Sequence, residues 1–456
     1  MDSYKALEEL SASDIGRALA GGSLNAVSLT KAALERANTG ISNNIFISVS
    51  KERAMSEAVE SSKRHLNGKP LSALDGVPIA LKDLIDRKGE ITTAGSNVYR
   101  NAEPAKLDSI IATNLTASGL ISIGKVNLTE FAYSGLGLNP HFGTPHNPFS
   151  PNIPKVPGGS SSGTAVAISS NIVPCAIGTD TGGSVRIPSS FNGLVGYKSS
   201  LGRIETKGVF PLSRTLDTIG PLGRSVEDCI LLDCALRGQA YTPVVARPIK
   251  GLLIYVPQNV VMDDIQSDVA QNFETSLRSM EAAGAIIKYT KIDEFEKVIE
   301  LGKTYGSLAA ADAYKEHLCL FENSKINQVD RRVVDRIVGG KSMTSGDVIS
   351  LQVARGNLIG QMKINYCDGL IAMPTTVITA PEIEELESDD AYFHKINSLV
   401  LRNTSLGNFL DLPGLALPNG KDKYGMPSSI LLSSVSGADI DLLEFGLELE
   451  RVLGRS

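Results

Sequence analysis

The chain is poor in the features that mark secreted, membrane-spanning and metal-binding proteins. Its five cysteines, Cys175, Cys229, Cys234, Cys319 and Cys367, are scattered, odd in number and never in C-x-x-C spacing. A disulfide framework or a zinc site is therefore disfavoured, and buried free thiols are expected. No stretch reaches the ~18 apolar residues of a membrane span. The opening "MDSYKALEELSASDIGRALAGG" has neither the basic start nor the uninterrupted apolar core of a secretory leader, so a soluble cytoplasmic protein is expected. A basic run interleaved with aromatics is also missing, and 44 Lys+Arg against 50 Asp+Glu leave a net charge of −6. That balance disfavours a nucleic-acid groove. Internal repeats and long low-complexity linkers are absent as well. Histidine is scarce: His65, His141, His146, His317 and His394 are all there are, and none sits in a context that singles it out as a catalytic base.

What remains is ordinary globular material, 456 residues at 42% hydrophobic and 21% charged, enough for a large core. Apolar residues at helical spacing (Ile15, Leu19, then Ala32, Ala33, Leu34), broken at Gly21-Gly22, predict two short helices within residues 11–37. The apolar runs "GVPIALKDLID", "GLISIGKVNL" and "GLLIYVP" read as strands, and "SDVAQNFETSLRSMEAAG" reads as a helix. The alternation gives an α/β fold with a parallel or mixed sheet. A boundary near Arg247–Gly251 is only weakly marked, so one domain with inserted excursions is preferred.

Between Val156 and Ser190 the chain concentrates glycine and serine: "VPGGSSSGTAVAISSNIVPCAIGTDTGGSVRIPSS". Both glycine runs adjoin apolar segments that belong in a core, which argues against a flexible linker. Glycines before a serine let the backbone approach a ligand closely. The amides of Thr181, Gly182, Gly183 and Ser184 are placed to gather on one point and hold charge developing on a carbonyl oxygen, where one such donor is typically worth ~3 kcal/mol. Gly159-x-Ser161-x-Gly163 also matches a nucleophile elbow, but a Pro-rich loop leads into it where that fold requires a strand. Ser28-Leu29-Thr30-Lys31 matches the S-x-x-K of β-lactamases, without the accompanying K-T-G and S-D-N and inside an expected surface helix.

With no histidine singled out, the candidate base is Lys82. Strand alternation points Lys82 and Asp83 to opposite faces, and lysine is rarely buried without a role. Lowering its pKa from about 10.4 to about 7 by burial corresponds to ~4 to 5 kcal/mol and leaves an amine able to accept a proton. A strand-end lysine reaching for water is the other reading of this segment taken alone.

Taken together, "LDGVPIALKD", "VPGGSSSGTA" and "GTDTGGSVRIPSSFNGLVGYKSSLGRI" resemble the amidase signature family of serine hydrolases, and the likeness extends through "GPLGRSVED" and "AMPTTVITAPEI" over nearly the whole chain. The resemblance implies a mixed, mostly parallel central β-sheet sandwiched by helices. It implies a single domain over residues 1–456, with N-terminal helices to about residue 70, a signature core to about 230, and a remainder that completes the sheet and pocket. By the same resemblance Ser184 is the nucleophile, Ser160 a bridging serine after a cis Gly159–Ser160 peptide, and Lys82 the base. The amides of Thr181 to Ser184 form the oxyanion hole, and Ser161, Thr179 and Arg186 are polar partners around the reacting groups. Ser162 stands where relatives often carry glycine.

Phe131, Tyr133, Leu136 and Asn139, on a Gly-rich path, are the corresponding substrate-binding candidates, with residues from about 315 to 415 closing the other side. Arg332, Arg355 and Arg402 are candidates for a carboxylate clamp. The resemblance implies hydrolysis of a small amide or carbamate through an acyl-enzyme, as in urethane cleavage, without a metal or organic cofactor. Composition and charge argue for no membrane or nucleic-acid partner, and the resemblance implies a homodimer, as often found in the family. The alternative role in the family is that of the glutamine-splitting component of a tRNA-dependent amidotransferase.

Overall fold

The computed structural model describes residues 2–39, 43–240 and 242–454. Its centre is an 11-stranded sheet. In chain order the strands are β1 (Phe46–Val49), β2 (Pro78–Lys82), β3 (Ile121–Val126), β4 (Cys175–Asp180), β5 (Val195–Lys198), β6 (Thr218–Gly223), β7 (Leu253–Pro257), β8 (Ile286–Thr290), β9 (Gly369–Pro374), β10 (Gly414–Lys421) and β11 (Pro427–Ser433). They lie side by side as β1-β3-β2-β4-β6-β5-β10-β11-β9-β7-β8.

The sheet is mixed, as expected, but its parallel character is confined to two stretches. The pairs β2/β3, β2/β4, β7/β8 and β7/β9 are parallel. The pairs β1/β3, β4/β6, β5/β6, β5/β10, β10/β11 and β9/β11 are antiparallel. Parallel neighbours need a crossover, usually a helix; the β10/β11 pair is instead a hairpin whose apolar faces feed two of the hydrophobic clusters.

The strand segments read from sequence fall on β2, β3 and β7, and the helical segments on Ala12–Ala20, Ala26–Ala37 and Ser267–Ala282. The break at Gly21-Gly22 has a local cause. Gly22 adopts φ +71, and the next helix starts where the Asn25 side chain accepts from the amides of Val27 and Ser28. Ser28 lies in that first turn and Lys31 is 70% exposed, so the S-x-x-K match is a solvent-facing helix. Burial of the cysteines is only partly as expected: Cys175, Cys229 and Cys234 are buried thiols, whereas Cys319 and Cys367 are exposed.

β2 and β4 run in the same direction, with Ile79, Ala80 and Leu81 opposite Cys175, Ala176 and Ile177. Lys82 and the pair Thr179-Asp180 therefore emerge together at the carboxyl ends of two central strands, the end at which α/β sheets bind ligands.

Candidate active site

Lys82 is fully buried at the last position of β2. Its neighbour Asp83 faces away, as alternation requires, and is neutralised by Lys125 at 2.6 Å and bonded by the Thr93 amide at 3.0 Å. Lys82 is thereby left with hydroxyl partners: its Nζ lies 2.7 Å from Ser160 Oγ and 2.8 Å from Thr179 Oγ1. Burial without an ion pair lowers the Lys82 pKa to about 7, against the pull of the more distant Asp217 and Asp180 carboxylates.

Ser160 is also fully buried, and the peptide between Gly159 and Ser160 is cis. Its carbonyl accepts from the Thr129 amide at 3.1 Å. Ser161, next in the chain, donates to the Thr179 carbonyl at 3.4 Å and opens the helix Ser162–Ser169. Ser161 is absent from the wall of the cavity that Ser184 lines, and among the described residues no histidine is bonded to it; His317 is stacked on Phe131 and His394 faces Asp335. The elbow reading of Ser161 has no base.

The turn after β4 is held from within by Asp180, which is fully buried. Its carboxylate accepts from the amides of Gly183 (2.9 Å) and Val185 (3.0 Å) and pairs with the Arg186 guanidinium at 2.9 and 3.1 Å. Asn408 closes the group, accepting from Arg186 at 2.6 Å and donating to Asp180 at 2.8 Å. Burial alone would push the Asp180 carboxyl up, but the Arg186 charge beside it outweighs this and holds it well below the usual carboxylate range. Glycine is required at position 183: φ is +135 and an added Cβ would lie 2.1 Å from Thr404 Oγ1.

This anchoring revises one expectation. The Gly183 amide is committed to Asp180, so it does not point at the place where a substrate oxygen would sit. The amides of Gly182 and Ser184 make no hydrogen bond among the described residues, and both residues line a cavity of about 430 Å³. Thr181 lines it as well and donates its hydroxyl to Asp217. Asp217 is a half-buried carboxyl that desolvation pushes up to about 6, against the hydrogen bonds from Thr181 and from the Ser213 and Leu212 amides.

Of the four substrate-binding candidates, only Tyr133 reaches the cavity. Phe131 is packed in the core against Phe210 and His317, with ring centroids 5.9 and 4.1 Å away. Leu136 is core. Asn139 is a loop brace whose side chain donates to the carbonyls of Gly95 and Leu128 and accepts from the amides of His141 and Phe142. Arg332, Arg355 and Arg402 are absent from the wall; Arg332 is tied to Asp330 at 2.8 Å and Arg402 to the Asp263 carbonyl at 2.5 Å.

The wall instead takes Arg336 and, from outside the expected 315–415 region, Val298, Ile299 and Lys303 of the helix Asp293–Tyr305. Nothing in the sequence ties that helix to a site some hundred residues upstream. Asp180 could have been found, since an aspartate opening a Thr-Gly-Gly-Ser turn is a ready acceptor for the amides that follow.

The family model described as Amidase matches residues 28–443. The chain belongs to the amidase signature family. It is 31% identical to the glutamyl-tRNA(Gln) amidotransferase A component of Cupriavidus necator, with 91% of each chain covered. It is 30% identical to the 2-amino-5-chloromuconic acid deaminase of Comamonas testosteroni, covering 85% of this amidase and 84% of that enzyme. Among solved structures, one described as an amidase superposes with a TM-score of 0.86 at 28% identity, covering 98% of this chain and 100% of that one. The 6-aminohexanoate cyclic dimer hydrolase bound to its substrate shares the fold, with a TM-score of 0.85 at 22% identity over 99% and 98% of the two chains. The family hydrolyses C–N bonds. Among the described residues no helix of this amidase is long and apolar enough to cross a membrane.

Proposed function

We propose that this amidase splits a carboxamide through a Ser184 acyl-enzyme. The supporting observation is a lysine with its pKa near 7 hydrogen-bonded to a buried serine beside the turn that presents Ser184. Neutral Lys82 takes the Ser160 hydroxyl proton as Ser160 takes that of Ser184, and the freed Ser184 oxygen attacks the carbonyl carbon. The amides of Gly182 and Ser184 hold the oxygen of the tetrahedral intermediate. The proton returns along the same route to the nitrogen, which leaves as ammonia or an amine. Water then repeats the sequence on the ester, releasing the acid and restoring Ser184.

Two roles share this chemistry. The amidotransferase reading, in which glutamine is split and ammonia handed to a partner, is supported by the names of most of the similar curated proteins. The free hydrolase, acting on small amides or carbamates, is supported by the wall of the cavity, which among the described residues carries no carboxylate for the ammonium of an amino acid. On that observation we favour the free hydrolase. The test is ammonia release by the purified chain alone from simple aliphatic amides beside L-glutamine. The favoured role predicts turnover of the simple amides without any partner. Turnover of glutamine alone supports the amidotransferase role.

A further inference from the structure

The charge on the cavity wall is one-sided. Among the described residues its charged members are Arg336 and Lys303, with no Asp or Glu beside them. Arg336 lies on the helix Arg331–Val338, where the other two arginines are neutralised, Arg331 by Asp390 and Arg332 by Asp330. Arg336 is not. Among the described residues its guanidinium makes no ion pair, and its Nε is buried without a hydrogen-bond partner.

The group is nevertheless held in place. Its central carbon lies 4.5 Å over the Tyr133 ring, and the Tyr133 hydroxyl donates to the Arg336 carbonyl at 3.4 Å. A fixed guanidinium with free donors matches a carboxylate, which it can grip through parallel N–H···O bonds. Lys303, exposed at the mouth and without an ion pair among the described residues, adds a second positive charge on the approach. Most of the remaining wall is apolar, with Leu216, Val298, Leu308 and Phe409 among its residues.

We propose that the substrate is an amide whose short apolar acyl chain ends in a carboxylate, in effect the monoamide of a dicarboxylic acid, with no ammonium group. The reacting carbonyl lies at Ser184 and the carboxylate on Arg336. The assignment rests on the amidase reading above and adds the substrate class to it. An ammonium buried on this wall would meet two cations and no counter-ion, which is costly.

The experiment compares kcat/KM for ammonia release from three series: monoamides of dicarboxylic acids of increasing length, neutral aliphatic amides of matched length, and ω-amino amides. L-glutamine is set beside glutaramic acid, which lacks its ammonium. The carboxylate series should exceed the neutral one by about tenfold or more, as a charged hydrogen bond confers, and glutaramic acid should exceed glutamine. In Arg336→Gln the carboxylate-to-neutral ratio should collapse toward one, with partial recovery in Arg336→Lys. Fluorophosphonate labelling of Ser184 reports whether each variant is folded.

Equal rates on the wild type for carboxylate and neutral amides, or a preference for glutamine over glutaramic acid, would overturn the proposal while leaving the amidase intact. Those comparisons need no variant. An unlabelled wild type that splits none of the amides removes the amidase reading itself.

Discussion

Lys82 Nζ lies 2.7 Å from Ser160 Oγ, and the lysine has no ion pair among the described residues. An ammonium buried in this way is destabilised relative to the free amine, so this lysine sheds its proton near pH 7 rather than near 10.5. The group that can accept a proton thus already touches the group expected to give one up.

The first prediction concerns the rate. Ser184→Ala should abolish turnover, and Lys82→Ala or Ser160→Ala should lower kcat by about 10⁴-fold or more, since the three act as a unit. In the wild type kcat/KM should rise with pH through about 7, because the neutral amine is the active form and protonation of Lys82 removes it. A Lys82→Ala enzyme with wild-type kcat at every pH would remove the lysine from the mechanism.

Asp217 should tune that limb. The carboxylates acting on Lys82 are Asp217 and Asp180, and both favour its charged form. Asp217→Asn removes one of them, so the acid limb of the wild-type profile should move to lower pH. Thr181 also loses its charged acceptor, and kcat should fall by roughly tenfold or less. A drop in kcat with an unmoved limb would confine Asp217 to holding Thr181.

The anchor of the Ser184 turn should be measurable as stability. Arg186→Met leaves the fully buried Asp180 carboxylate without its charge partner, and the cost should be about 3–5 kcal/mol, read from urea unfolding. Adding Asp180→Asn should recover part of that loss, because the unpaired charge is then gone.

These anchors show which parts of the molecule were legible in the sequence. Lys82 lies on a strand that its apolar run announces, and the glycine at position 183 marks a backbone that no other residue allows, whereas the roles of Thr179 and Ser184 came from the family resemblance. Arg336 and the helix Asp293–Tyr305 were invisible because their meeting with Tyr133 depends on how distant helices fold back over the strand ends, and periodicity within a helix carries no trace of that. Phe131 and Asn139 misled for a related reason. An aromatic or amide side chain near a site reads the same whether it faces a ligand or braces a loop. Gly183 was placed correctly in a turn, but its amide was assigned to substrate because Asp180 was not counted as a competing acceptor.

Acid sensitivity should trace in part to His317. The ring is fully buried against Phe131, neither nitrogen has a hydrogen-bond partner among the described residues, and burial lowers its pKa to about 4. Between about pH 6.5 and 4 the unfolded chain binds a proton that the native one refuses, so stability falls as pH is lowered through that window. His317→Phe should flatten the fall between pH 6.5 and 5, retaining up to about 2 kcal/mol that the wild type loses. The check is the urea midpoint of both proteins at the two pH values.

The identity of the activated nucleophile can be read without knowing the substrate. Intact mass and peptide mapping after fluorophosphonate treatment, wild type beside Ser184→Ala, should show one adduct on Ser184 that disappears in the variant. An adduct on Ser161, or labelling that persists undiminished in Ser184→Ala, would contradict the relay from Lys82 through Ser160 to Ser184.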